Sequence, residues 1–139
     1  MKATRRNARE WAIQMLTAAD LNPPEDVAAL TAEFWANLVE DRPSSGLRAF
    51  AEERVVGVLS AREEIDGVLV PLLENWDLYR LGTVERAVLR MGIWEMLKTD
   101  VPKPVVINEA VDLVNWFSSP KSRTLINGVL DRFAKQSAG

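Results

Sequence analysis

Three arginines fall within five residues near the start of the chain: Arg5, Arg6 and Arg9, with Lys2 just before them and no acid until Glu10. On a helix beginning by Arg5, the three side chains project at about 0°, 100° and 40°, beside the core-facing seam rather than opposite it. Guanidinium groups so placed can bind several phosphates bidentately or stack on unpaired bases. The same cluster can instead be a solvated face that pairs with acids on a neighbouring element. Both readings stand on the residues alone.

Few other chemistries are open. There is no cysteine and no histidine, which excludes thiol nucleophiles, Ser-His-Asp triads and zinc sites of the Cys/His type. The acidic clusters Glu40-Asp41, Glu52-Glu53 and Glu63-Glu64-Asp66 invite a paired-carboxylate reading. Adjacent residues on a helix diverge by about 100°, however, so these do not converge by spacing. No glycine-rich phosphate loop is present. The sequence therefore predicts no catalytic residue, no metal site and no cofactor.

Of the five tryptophans, Trp35, Trp76, Trp94 and Trp116 read as core residues or core residues with a wet indole N–H. Trp11 borders the apolar stripe near the arginines and is the one candidate base-stacking platform. Asn127-Gly128 inside an apolar helical run costs roughly 1 kcal/mol against better helix formers. That predicts a close helix approach over Gly128 with Asn127 hydrogen-bonded inside.

The net charge of −3 argues against a nucleic-acid binder only as a single number. The first nine residues carry +4, which leaves −7 on the other 130. A small basic spot on an acidic body concentrates any polyanion contact at one place.

The elements that must position these residues are helical. Ala8, Ala12, Met15, Leu16 and Ala19 share one face behind a Thr4 N-cap. Asn22-Pro23-Pro24 ends that helix and opens the next, with Glu25 and Asp26 in its first turn and Val27, Leu30, Phe34 and Leu38 as its buried stripe. A polar linker runs from Glu40 to Gly46. One long helix or two follow, parted near Ala61 to Glu64, with Pro71 imposing a kink or break. Further helices carry Val84, Ala87, Val88, Met91 and Trp94, then Val106, Ala110, Leu113 and Phe117, then Ile126, Val129, Leu130 and Phe133. No segment alternates like a strand. The expectation is an all-α chain of six to eight helices, a single domain over residues 1–139 built as two helical subdomains packed together, with a boundary near 40–46 or 75–83. The start is too polar for a signal peptide, and no run approaches 18 apolar residues without charge, so a soluble cytoplasmic protein is expected.

These segments, in this order, resemble the NusB family of transcription antitermination factors. The matching stretches are Arg5-Arg6-Asn7-Ala8-Arg9-Glu10 with Ala12-Ile13-Gln14; Val56-Gly57-Val58 with Ile65-Asp66; Val84-Glu85-Arg86-Ala87-Val88-Leu89-Arg90 with Trp94-Glu95; Val106-Ile107-Asn108-Glu109-Ala110-Val111; and Ile126-Asn127-Gly128-Val129-Leu130-Asp131. They span about residues 4–134. The resemblance implies binding to boxA RNA, a single-stranded element of nascent ribosomal RNA leaders, together with NusE, a small-subunit ribosomal protein, inside an RNA polymerase antitermination complex. It places RNA contacts at Arg5, Arg6 and Arg9, with Lys2 beside them. Lys121 and Arg123, in the loop before the last helix, would enlarge the basic spot. On the NusE side it places Glu85 and Arg90, and also Thr17 and Leu125, positions where the family often carries Tyr and Phe. The competing reading is a helical protein–protein module, self-associating as a homodimer, that has lost RNA binding. A third treats the chain as the NusB-like N-terminal domain of an RNA methyltransferase; with no cofactor domain after Gly139, no catalysis is expected from it.

Overall fold

A computed structural model describes residues 3–38 and 43–137. Lys2 and the first three residues of the polar linker, Glu40, Asp41 and Arg42, lie outside the described residues. The described residues form seven α-helices and one 3₁₀ turn, with no strand among them. The helices are α1 (Arg5–Leu21), α2 (Val27–Asn37), α3 (Ser45–Ser60), α4 (Arg62–Leu72), α5 (Thr83–Lys98), α6 (Lys103–Phe117) and α7 (Pro120–Gln136). The 3₁₀ turn Leu78–Arg80 leads into α5.

Local chemistry sets the ends. Thr4 caps α1 in a reciprocal capping box with Asn7, as the sequence predicts for Thr4. Asp26 is the N-cap of α2 rather than a residue of its first turn, because its carboxylate accepts from the Ala28 N–H. Helices α3 and α4 are separate and part at Ala61. Pro71 sits in the final turn of α4, which stops at Leu72. Gly82 precedes α5 as its N-cap.

α5 is the axis of the fold. Its residues Arg86 to Glu95 are all buried, and α1, α3, α4, α6 and α7 pack around it. Gly57 of α3 permits one of these approaches: a Cβ there would lie 2.3 Å from the Trp94 indole of α5. Ala8, Ala12, Ile13, Val55, Ile65, Leu69, Val88, Leu113, Ile126 and Leu130 meet in one core. Each fully buried aliphatic side chain contributes about 1.5–3 kcal/mol.

Three expectations are corrected here. Trp11 is buried at 4% exposure and meets Trp35 edge-on, with centroids 5.7 Å apart; it is a core residue and offers no face to a base. Asn127 is exposed, and nothing approaches a Cβ placed on Gly128 within 4 Å. Both fall on the side of α7 away from the buried stripe Ile126, Val129, Leu130 and Phe133. The stripe of α2 is only half-buried, since α2 packs mainly against α1 and fully buries only Thr31.

Candidate nucleic-acid interface

The first turn of α1 and the first turns of α6 enclose an open cleft of about 790 Å³, lined by Thr4, Arg5, Arg6, Arg9, Asp100, Val101, Pro102, Val105 and Glu109. The three arginines meet there but have different environments.

Arg6 is exposed and held in place from α6. Its Nε donates to Glu109 at 3.2 Å and its Nη2 to Asp112 at 2.7 Å. The Glu109 hydrogen bond and charge raise the guanidinium pKa further, so its charge is fixed at any working pH. Arg5 is exposed and has no carboxylate partner among the described residues; its guanidinium lies 5.4 Å from the centroid of the Phe50 ring. Arg6 shares its charge with two carboxylates, and Arg5 is left as the cation at the cleft mouth without one among the described residues.

Arg9 departs from its expected role. It is 5% exposed, and its Nε and Nη2 grip Glu95 at 3.2 and 2.8 Å. Arg54 of α3 grips the same carboxylate at 3.2 and 2.9 Å. On the helix Arg9 falls between the buried Leu16 and Ile13, which turns it inward onto α5. It is a clamp between α1, α3 and α5, and its charge is spent on Glu95. Phe50 lies beneath this cluster, with the Arg54 and Arg9 guanidiniums 3.5 and 5.1 Å from its centroid. Sequence reading missed Arg54 and Glu95 as a pair. The available signal was Arg54 itself, a charge in the middle of the stripe Ala51, Val55 and Val58.

A second groove, of about 260 Å³, is lined by residues of the 3₁₀ turn, α5 and α7, among them Trp76, Arg80, Glu85, Lys121, Ser122 and Leu125. It joins Glu85 and Leu125, expected on the NusE side, to Lys121, expected on the RNA side. Ser118 and Ser122 both donate to the same Glu85 oxygen. Partial burial pushes the Glu85 carboxyl up, but the Ser118 bond, its own backbone N–H, Ser122 and the Arg86 charge outweigh it and hold it below the usual carboxylate range. It is an anion at neutral pH.

Arg90 is not at this groove. It is 5% exposed, bound by Nε to Asp66 at 2.9 Å and close to Asp20. An arginine in the buried ten-residue stretch of α5 must be neutralised inside the fold, so it is spent there. Arg86 does likewise with Asp20 at 2.7 Å. Thr17 is half-buried on α1, returns its hydroxyl to the Ile13 carbonyl, and does not line the groove. Arg123 is exposed and donates to Asn115 at 3.4 Å.

The acidic clusters disperse as their spacing predicts. Glu52 takes the Trp35 indole N–H, Glu53 pairs with Arg54, Glu64 with Lys98 and Asp66 with Arg90. Among the described residues no group of three or more such side chains could hold a metal ion, and no helix is long and apolar enough to cross a membrane.

Helices wrapped about a buried α5, with an arginine-lined cleft and a groove of mixed charge at the surface and no metal-binding cluster among the described residues, define an all-helical protein built around one central helix. The model of the NusB family matches residues 6–135. The transcription antitermination protein NusB of Nitratiruptor sp. is 38% identical over 135 residues, covering 96% of this chain and 94% of that protein. The solved NusB of T. maritima superposes with a TM-score of 0.85 at 29% identity, over 97% of this chain and 93% of that one. A crystal structure of the antitermination factors NusB and NusE in complex with double-stranded RNA gives 0.82 at 30%, over 95% and 96%. The chain belongs to the NusB family, a family of transcription antitermination factors and not of enzymes.

Proposed function

We propose that this chain binds single-stranded boxA RNA of nascent ribosomal transcripts together with NusE, in the cytoplasm, as one helical domain within an RNA polymerase antitermination complex. The observation that carries this reading is the cleft at the start of α1, where Arg5 has no carboxylate partner and Arg6 is pre-positioned by Glu109 and Asp112. Pre-positioned guanidiniums lose less side-chain freedom when they take a phosphate. Lys121 and Arg123 extend the cationic surface toward α7. The acidic remainder of the chain discourages RNA elsewhere.

Glu85 and Leu125 are the partner contacts in this reading, with Thr17 a further one on α1. The nearness of Glu85 and Leu125 to Lys121 in one groove supports a composite surface, on which RNA and NusE lie side by side. The solved relative with NusE holds double-stranded RNA, so the test compares both forms. Purified chain is titrated with single-stranded boxA RNA and with its duplex, with and without NusE. The expected result is tighter binding of the single strand, strengthened by NusE. Equal binding of any duplex, or a stable homodimer without RNA affinity, overturns the reading.

A further inference from the structure

Trp116 breaks the expectation that it is a core residue. At 75% exposure it is the most exposed large apolar side chain among the described residues. On α6, Val105, Glu109, Asp112 and Trp116 are spaced i, i+4, i+7 and i+11, so they form one stripe along the helix. The start of that stripe is already part of the arginine cleft: Val105 and Glu109 line it, and Glu109 and Asp112 hold Arg6. Trp116 comes one turn later, about 6 Å further along the axis. Asn115, the residue before it, accepts the Arg123 hydrogen bond. Trp116 thus shares its stripe with the two residues that hold Arg6, and its neighbour in sequence is the residue that Arg123 contacts. Unlike Trp11, Trp35 and Trp94, it has neither an aromatic partner nor a guanidinium on its ring among the described residues.

We propose that Trp116 is a stacking platform for an unpaired RNA base, carrying the strand from the arginine cleft toward Arg123. The inference rests on the RNA-binding reading above and adds a residue to it. An indole face accepts any base, and nearby cations supply the phosphate contacts that set the strand over it. The two cations nearby favour an RNA strand over a protein partner: Arg5 has no carboxylate partner among the described residues, and Arg123 bonds the neutral Asn115 amide. A duplex offers no free base face, so the contact selects single strands.

The test uses labelled single-stranded boxA RNA and its duplex, in the presence of NusE, with wild type, Trp116→Ala, Trp116→Phe and Arg5→Ala. Trp116→Ala is expected to weaken single-strand binding roughly 5- to 100-fold. Its salt dependence stays as in wild type, because stacking releases no counterions. Trp116→Phe retains most of the affinity, and duplex binding is unaffected. Unchanged single-strand affinity in Trp116→Ala, while Arg5→Ala weakens it, overturns the stacking role and leaves the RNA reading intact. Loss of NusE affinity in place of RNA affinity assigns the ring to the protein partner and overturns it too. No RNA binding by wild type overturns both.

Discussion

Replacing Glu95 with Gln keeps the shape of the side chain and removes the charge that two buried guanidiniums share. Glu95 is 1% exposed, Arg54 2% and Arg9 5%, so little water reaches any of them. The carboxylate accepts two hydrogen bonds from each arginine, at 2.8–3.2 Å. Removing one partner of a buried ion pair costs about 3–5 kcal/mol. Arg54 keeps a contact to Glu53 and to the Phe50 carbonyl, which places the expected cost at the lower end, about 3 kcal/mol. For a domain of this size that is a fall in Tm of roughly 10 °C. Arg6→Ala is the control: its pairs are solvent-exposed, and such pairs contribute about 0–1 kcal/mol. Urea titrations followed by tryptophan fluorescence and circular dichroism measure both. A cost below about 1 kcal/mol for Glu95→Gln refutes the assignment of this cluster as a structural clamp. So does an Arg9→Ala variant of wild-type stability that has lost RNA binding, since Arg9 would then be a phosphate contact.

Gly57→Ala forces a methyl group to within 2.3 Å of the Trp94 ring and is expected to cost about 1–3 kcal/mol or more in urea unfolding; wild-type stability contradicts the close approach of α3 to α5. Burial pushes the Asp20 carboxyl up, but the hydrogen bond and charge of Arg86, with Arg90 and Arg62, outweigh it and hold the pKa below its ordinary value. Its stabilisation is therefore complete above the ordinary Asp pKa of about 4 and is lost as pH falls through the depressed folded value. Tm measured from pH 7 down to pH 2 should fall more steeply for wild type than for Asp20→Asn; parallel profiles contradict the linkage. Glu85→Lys reverses the charge in the second groove and is expected to weaken NusE binding at least about tenfold by calorimetry; unchanged affinity removes Glu85 from the partner side.

The helices were legible because their apolar stripes repeat at the helical period and their caps are short polar residues. Thr4 and the buried run Ala8, Ala12, Met15, Leu16 and Ala19 illustrate both. The site was legible in part. Clustering brings Arg5 and Arg6 to one cleft, but spacing alone does not separate them from Arg9, because the carboxylate that claims Arg9 lies 86 residues away on α5. Arg90 was misplaced for the same reason, its partner Asp66 being on α4. The environment of Asn127-Gly128 does not follow from propensity, which reports what a residue costs a helix and not which face it occupies; the angle from Ile126 and Val129 carries that information. Residue type alone points Trp116 to the core, whereas its spacing from Glu109 and Asp112 puts it on their stripe. Long-range ion pairs are set by the packing of helices around α5, and local periodicity does not encode that packing.

The central claim is that RNA is held at the start of α1 by Arg5 and Arg6. It is tested most directly by the salt dependence of single-stranded boxA RNA binding, with NusE present, for wild type and Arg5→Ala/Arg6→Ala. Four cations, Arg5, Arg6, Lys121 and Arg123, predict a slope of log K against log salt of about −3, falling to about −1.4 in the double variant with a large loss of affinity. A double variant with the slope and affinity of wild type contradicts the account.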